Sequence, residues 1–110
     1  MTSYKFLVFT DAVEGKEEEY NNWYDNVHLK DVTACDGFVA ATRYQFKALD
    51  GETPPRRFLA IYDIESDDVL STMKNMMDRA LAGGMQMSDA LAPDPVTYLF
   101  EAMPASGGEN

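Results

Sequence analysis

The order in which the chain changes its hydrophobic period constrains its fold more than any other feature. Residues 4–10 (YKFLVFT) are mostly aromatic or aliphatic and read as a buried strand. From Glu17 the period changes. Tyr20, Trp23, Tyr24 and Val27 form one apolar stripe of a helix, and Glu17, Glu18 and Glu19 in its first turn offset the helix dipole. This helix is expected to end near Leu29, with residues 30–34 able to add a short turn. Gly37 opens a second strand, residues 37–46. Phe38, Ala40, Thr42, Tyr44 and Phe46 point to one side of it, Val39, Ala41, Arg43 and Gln45 to the other. Residues 49–55, with Asp50-Gly51 and Pro54-Pro55, form a loop, and 58–64 (FLAIYDI) form a third strand. Ser66, Asp67 and Asp68 start a second helix, whose face is Val69, Leu70, Met73, Met76, Met77, Ala80 and Leu81 and whose stop is Gly83-Gly84. After an irregular stretch, 85–95, residues 96–102 (VTYLFEA) make the last strand, and 104–110 read as a frayed tail.

The resulting order is β-α-β-β-α-β, an α+β ferredoxin-like domain spanning residues 1–103 with two helices on one face of a four-stranded antiparallel sheet. Both sides of the second strand carry apolar groups, so the sheet face without helices is too apolar for water. A homodimer that pairs the two sheets is the expected solution. The formal net charge of −10 argues against nucleic acid or an anionic membrane as partner. No run approaches the roughly 20 apolar residues of a membrane span. The opening residues lack a signal-peptide pattern, and the single cysteine, Cys35, excludes an intramolecular disulfide, so a cytoplasmic location is expected.

WYDNVHLKDV (23–32), then DGFVAATRY (36–44) and LAIYDIES (59–66), resemble the EthD-like branch of the dimeric α/β-barrel superfamily. The likeness runs from residue 4 to 102 and is sharpest at Trp23, Tyr24, Val27, His28, Asp31, Gly37, Phe38 and Tyr44. It implies two ferredoxin-like protomers joined through their sheets into a barrel, each with a small apolar pocket between sheet and helices. The wider superfamily includes cofactor-free monooxygenases, lactone isomerases, polyketide cyclases and haem enzymes. The resemblance therefore implies a fold and a pocket rather than one reaction.

His28 is the only histidine and the first candidate for chemistry. At a helix end beside several aromatics it reads either as a proton shuttle or as a cap on the last helical carbonyls. The resemblance places a functional histidine at this position. Asp25 and Asp31 each lie three residues from it, and Asp31, within the matched stretch, is the expected orienter. Tyr24 and Tyr44, with Tyr62 third, are candidate hydroxyl donors. Trp23 reads as core or pocket wall, as do Met73 and Met77, and Met85 and Met87 as an adaptable wall or lid. Arg43 faces a substrate or a dimer interface, depending on the phase of its strand. Cys35 reads as a small buried residue. The sequence has no metal-spaced ligand cluster and no phosphate-binding glycine loop; only His28 could ligate a haem. No metal or cofactor is expected. The expected function is acid–base catalysis of isomerase, cyclase or lyase type on a small apolar or aromatic carbonyl compound in a catabolic or biosynthetic pathway. A cofactor-independent phenol monooxygenase and a non-catalytic carrier of a pathway intermediate are the rivals.

Overall fold

The computed structural model describes residues 1–104, so the expected tail lies outside the described residues except for Pro104. Its elements are β1 (Thr2–Thr10), α1 (Glu17–Trp23), a π-helical turn (Tyr24–His28), α2 (Leu29–Thr33), β2 (Phe38–Gln45), β3 (Phe58–Ser66), α3 (Val69–Leu81) and β4 (Val96–Glu101). The strands form one antiparallel sheet in the order β2-β3-β1-β4, the ferredoxin-like arrangement. No helix is long and apolar enough to cross a membrane among the described residues.

β3, a central strand, sets the layering. Phe58, Ala60, Tyr62, Ile64 and Ser66 are all buried, and the residues between them are half-buried. The buried set meets Tyr20, Trp23, Tyr24 and Val32 of the first helical run and Met76 of α3 in one core. Residues 59 and 61 (Leu59, Ile61) turn to the opposite face, where their antiparallel partners are Phe9 and Leu7. The same face carries Tyr44, Tyr98 and Phe100, exposed by 50%, 54% and 57%.

Three local expectations are refined. α1, the π turn and α2 are one uninterrupted helical run, because Trp23, Tyr24, His28 and Leu29 all keep right-handed helical dihedrals; the run passes Leu29 and ends at Thr33, taking the short extra turn that residues 30–34 allowed. Burial of Val32 at 3% on the core side explains the extension. The cap of α3 is Asp68, whose carboxylate accepts from the Ser71 amide at 3.2 Å, whereas the Ser66 hydroxyl accepts from the Asp68 amide and bonds the Thr72 hydroxyl. Third, β2 contains an irregularity between Phe38 and Ala40. A bulge puts one extra residue in a strand and reverses its phase beyond that point. Phe38 and Arg43 therefore share the helix face, opposite Ile64 and Ala60, and Tyr44 lies on the bare face opposite Leu59.

Gly37 makes the junction between α2 and β2 possible. Its φ is 88°, and a Cβ there would lie 2.9 Å from Thr72 Cγ2. Its carbonyl accepts from the Glu65 amide at 2.9 Å, which ties the turn to β3 beside α3.

Candidate functional site

The π turn builds the centre of the site. The Leu29 amide donates to the carbonyl of Tyr24, five residues back, where an α-helix would use the fourth. In an α-helix, at about 100° per residue, positions 23 and 28 would be about 140° apart. The wider turn brings them one above the other. The His28 ring stacks on Trp23 at 4.6 Å with 23° between planes, and meets the Tyr24 ring edge-on at 5.0 Å.

These rings form one wall of a cavity of about 270 Å³ between the helices and the sheet. Phe6, Val8 and Thr10 of β1, Tyr62 of β3, Met76, Met77 and Ala80 of α3, and Met85, Met87 and Leu91 complete most of its lining. The walls are almost wholly apolar. His28 is the only residue among them with an ordinary pKa near neutrality. Its Nδ1 is buried and, among the described residues, has no hydrogen-bond partner. Buried polar atoms nearly always have partners, so this orphan calls for a role. Burial pushes the imidazole pKa below its ordinary value, and the nearby negative charge of Asp31 opposes the shift without reversing it. The ring is thus held neutral at pH 7.

Two tyrosines supply hydroxyls. The Tyr62 hydroxyl donates to that of Tyr24 across 3.5 Å, a long contact. Burial raises both pKa values, Tyr24 to about 12, so both stay protonated donors at neutral pH. Tyr20, below them, bonds the Thr10 hydroxyl and belongs to the core.

The sequence candidates divide cleanly. Trp23, Tyr24, His28, Tyr62, Met77, Met85 and Met87 converge on the cavity. Met73 packs against the core outside it. Tyr44 is on the opposite face of the sheet, carried there by the bulge in β2, and is set apart from His28. Arg43 faces the helices but is fully engaged: its two terminal nitrogens donate to Asp25 and Asn21, both at 2.9 Å, and its guanidinium lies 4.6 Å from the Tyr24 ring centre. It braces Tyr24 from outside the cavity. The Asp31 carboxylate accepts from the Gln86 amide at 3.1 Å, so it acts on His28 through its charge and not through a hydrogen bond. Cys35 is buried, and burial raises its pKa, which leaves a poor nucleophile. The contributions of Phe6, Val8 and Thr10 were not distinguished in sequence. They alternate along β1, but its intervening residues are also apolar, which hides the face.

No family model matches this sequence, and no curated protein matches it. Solved structures do. A Shewanella loihica protein proposed to be a monooxygenase superimposes with a TM-score of 0.60 at 15% identity, over 96% of this chain and 99% of the other. An EthD family protein from Bacillus halodurans gives 0.59 at 12% identity, over 94% and 100%. A MhuD mutant with two manganese protoporphyrin IX groups bound per active site gives 0.61 at 17% identity, over 96% and 99%. The chain accordingly shares its ferredoxin-like fold with these structures, an EthD family protein among them.

Proposed function

We propose that this protein is a small-molecule enzyme that moves protons on a compact apolar or aromatic carbonyl compound held in the His28 cavity. The observation that carries the reading is an imidazole that lines an otherwise apolar space and whose buried Nδ1 has no partner among the described residues. At about 270 Å³ the cavity falls just under the roughly 300–1,000 Å³ of drug-sized ligand sites, so it suits a single-ring molecule rather than a macrocycle such as a porphyrin.

In this reading neutral His28 takes a proton from the carbon next to the carbonyl. The C–H bond breaks, an N–H bond forms, and the electron pair moves to the carbonyl oxygen as an enolate. A tyrosine hydroxyl of the Tyr24–Tyr62 pair donates to that oxygen, where negative charge develops. The negative charge of Asp31 favours the imidazolium that results. Where a carbon–carbon double bond adjoins that carbon, the enolate extends over it, and return of the proton to the far carbon of the double bond completes an isomerisation with no change of oxidation state. We also assign the bare sheet face to a second copy of the chain, because half-exposed Tyr44, Tyr98 and Phe100 lie together there.

A titration of the single histidine by NMR, with and without small aromatic ketones, lactones and phenols, tests the reading. A depressed pKa that moves with one of these classes is expected. A solvent-like titration indifferent to all of them overturns it. With a substrate in hand, His28→Ala should lower turnover about 10²-fold or more, and near-native turnover in the folded variant removes His28 from the mechanism. Oxygen uptake with a phenol would instead identify the monooxygenase alternative, and saturable binding without turnover the carrier.

A further inference from the structure

Residues 85–87 separate two spaces. Inside is the His28 cavity. Outside is an open polar cleft of about 840 Å³ bordered by Gly15, Lys16, Glu18, Glu19, Asn22 and Asp89. Trp23 and Met87 line both. The strap between them is anchored at each end: the Gly84 amide donates to Arg79 O at 2.8 Å, and Ala90 O accepts from the Val13 amide at 2.8 Å. Between these anchors, among the described residues, only the Gln86 peptide ties the strap to the helical run. Its N–H donates to Asp31 Oδ2 at 3.1 Å, and its carbonyl accepts from Trp23 Nε1 at 2.8 Å. Gly83, with φ of 84°, and Gly84 precede it and provide backbone freedom.

We infer that the Gln86 peptide is the latch of the cavity, and that Asp31 and Trp23 are the positioning residues that hold it shut. Release of the two bonds lets residues 85–87 move away and joins the cleft to the cavity, opening a route to His28. Met85, buried at 6%, seals the closed state without polar ties of its own. The proposal deepens the reading of the cavity as a ligand site, and it can be tested with no ligand for that site.

Asp31→Ala removes one tie; Asp31→Asn keeps an oxygen that can accept from the Gln86 amide. In Asp31→Ala, hydrogen exchange at the Gln86 amide should be about 10- to 100-fold faster than in the wild type, the worth of one charge-assisted hydrogen bond. Amides of β3 should be unchanged, and Asp31→Asn should restore most of the protection. Quenching of Trp23, the only tryptophan, by acrylamide should rise in Asp31→Ala and return in Asp31→Asn. Wild-type exchange and quenching in Asp31→Ala overturn the latch. So does equal loss in Asp31→Asn and Asp31→Ala, which would mark a charge effect rather than a tie. If Asp31→Ala does not fold, Trp23→Phe removes the other tie and must also accelerate exchange at Gln86, by about 2- to 10-fold, the worth of one neutral hydrogen bond; unchanged exchange there likewise refutes the inference. The exchange readouts need neither turnover nor proton transfer by His28, so failure of the latch and failure of the proposed chemistry are separable.

Discussion

Stability against pH gives a direct check on the state of His28. Folding depresses the imidazole pKa from the ordinary 6.5, with burial the main cause. Below pH 6.5 the unfolded chain therefore binds a proton that the folded chain resists. The unfolded state carries more protons in that window, so stability rises with pH through it and levels off above 6.5. Through His28, acidification therefore destabilises the fold. If the folded imidazole stayed neutral throughout, the loss between pH 7.5 and 5.5 would reach its ceiling of about 1.4 kcal/mol, the value of one proton over one pH unit. The attraction of Asp31 keeps the true loss below that ceiling.

Carboxylates titrate at the lower edge of this range, so the measurement is a difference. His28→Phe keeps an aromatic ring against Trp23 and removes the titration. Urea midpoints of both proteins at pH 7.5, 6.5 and 5.5 should diverge on acidification, with the wild type losing stability relative to the variant. In thermal melts each kcal/mol corresponds to about 4–8 °C. Parallel profiles would mean that His28 titrates alike in both states and has no dry pocket. A wild type that gained on acidification relative to the variant would mean that Asp31 outweighs burial, making His28 a cation at rest rather than a base.

Three further perturbations address the frame around the site. Gly37→Ala should cost more than about 1 kcal/mol in chemical denaturation, since it combines a left-handed backbone with a 2.9 Å approach to Thr72 Cγ2; an unchanged midpoint would refute the tight junction of α2, β2 and α3. Arg43→Lys should cost about 1–2 kcal/mol, because a lysine replaces neither the two-pronged grip on Asp25 and Asn21 nor the flat contact with Tyr24; a neutral result would show that the grip is solvent-screened. Phe100→Asp, on the bare face, should convert a dimer to a monomer in light scattering with little change in far-UV circular dichroism. A mass unaffected by the substitution would move any interface elsewhere.

The order of elements was legible because each segment carries its own period, from the stripe Tyr20–Trp23–Tyr24–Val27 to the alternation of β3. The identity of the aromatic wall followed from that stripe. Two backbone irregularities were not legible, and both decide the site. β2 has small or apolar residues on either side, so nothing in FVAATRYQ announces which phase follows the bulge after Phe38. The bulge gives Arg43 to the helices and Tyr44 to the bare face, separating two neighbours that the sequence offered as alternatives. The π turn likewise leaves no mark in YDNVH, since one extra residue per turn has no composition of its own. The run joins two fixed points: upstream the Tyr20 ring packs on Phe58 of β3 at 5.0 Å, and downstream the Cys35 carbonyl accepts from the Phe38 amide at the start of β2 at 3.1 Å. A regular α-helix would put His28 on a different side from Trp23, beyond stacking distance. The contact of Asp31 with Gln86, 55 positions away, belongs to the same class of feature: its partner is chosen by the fold, and no local spacing encodes it. His28 was therefore visible as a residue but not as an environment. The environment is what keeps its imidazole neutral and, among the described residues, leaves Nδ1 without a partner.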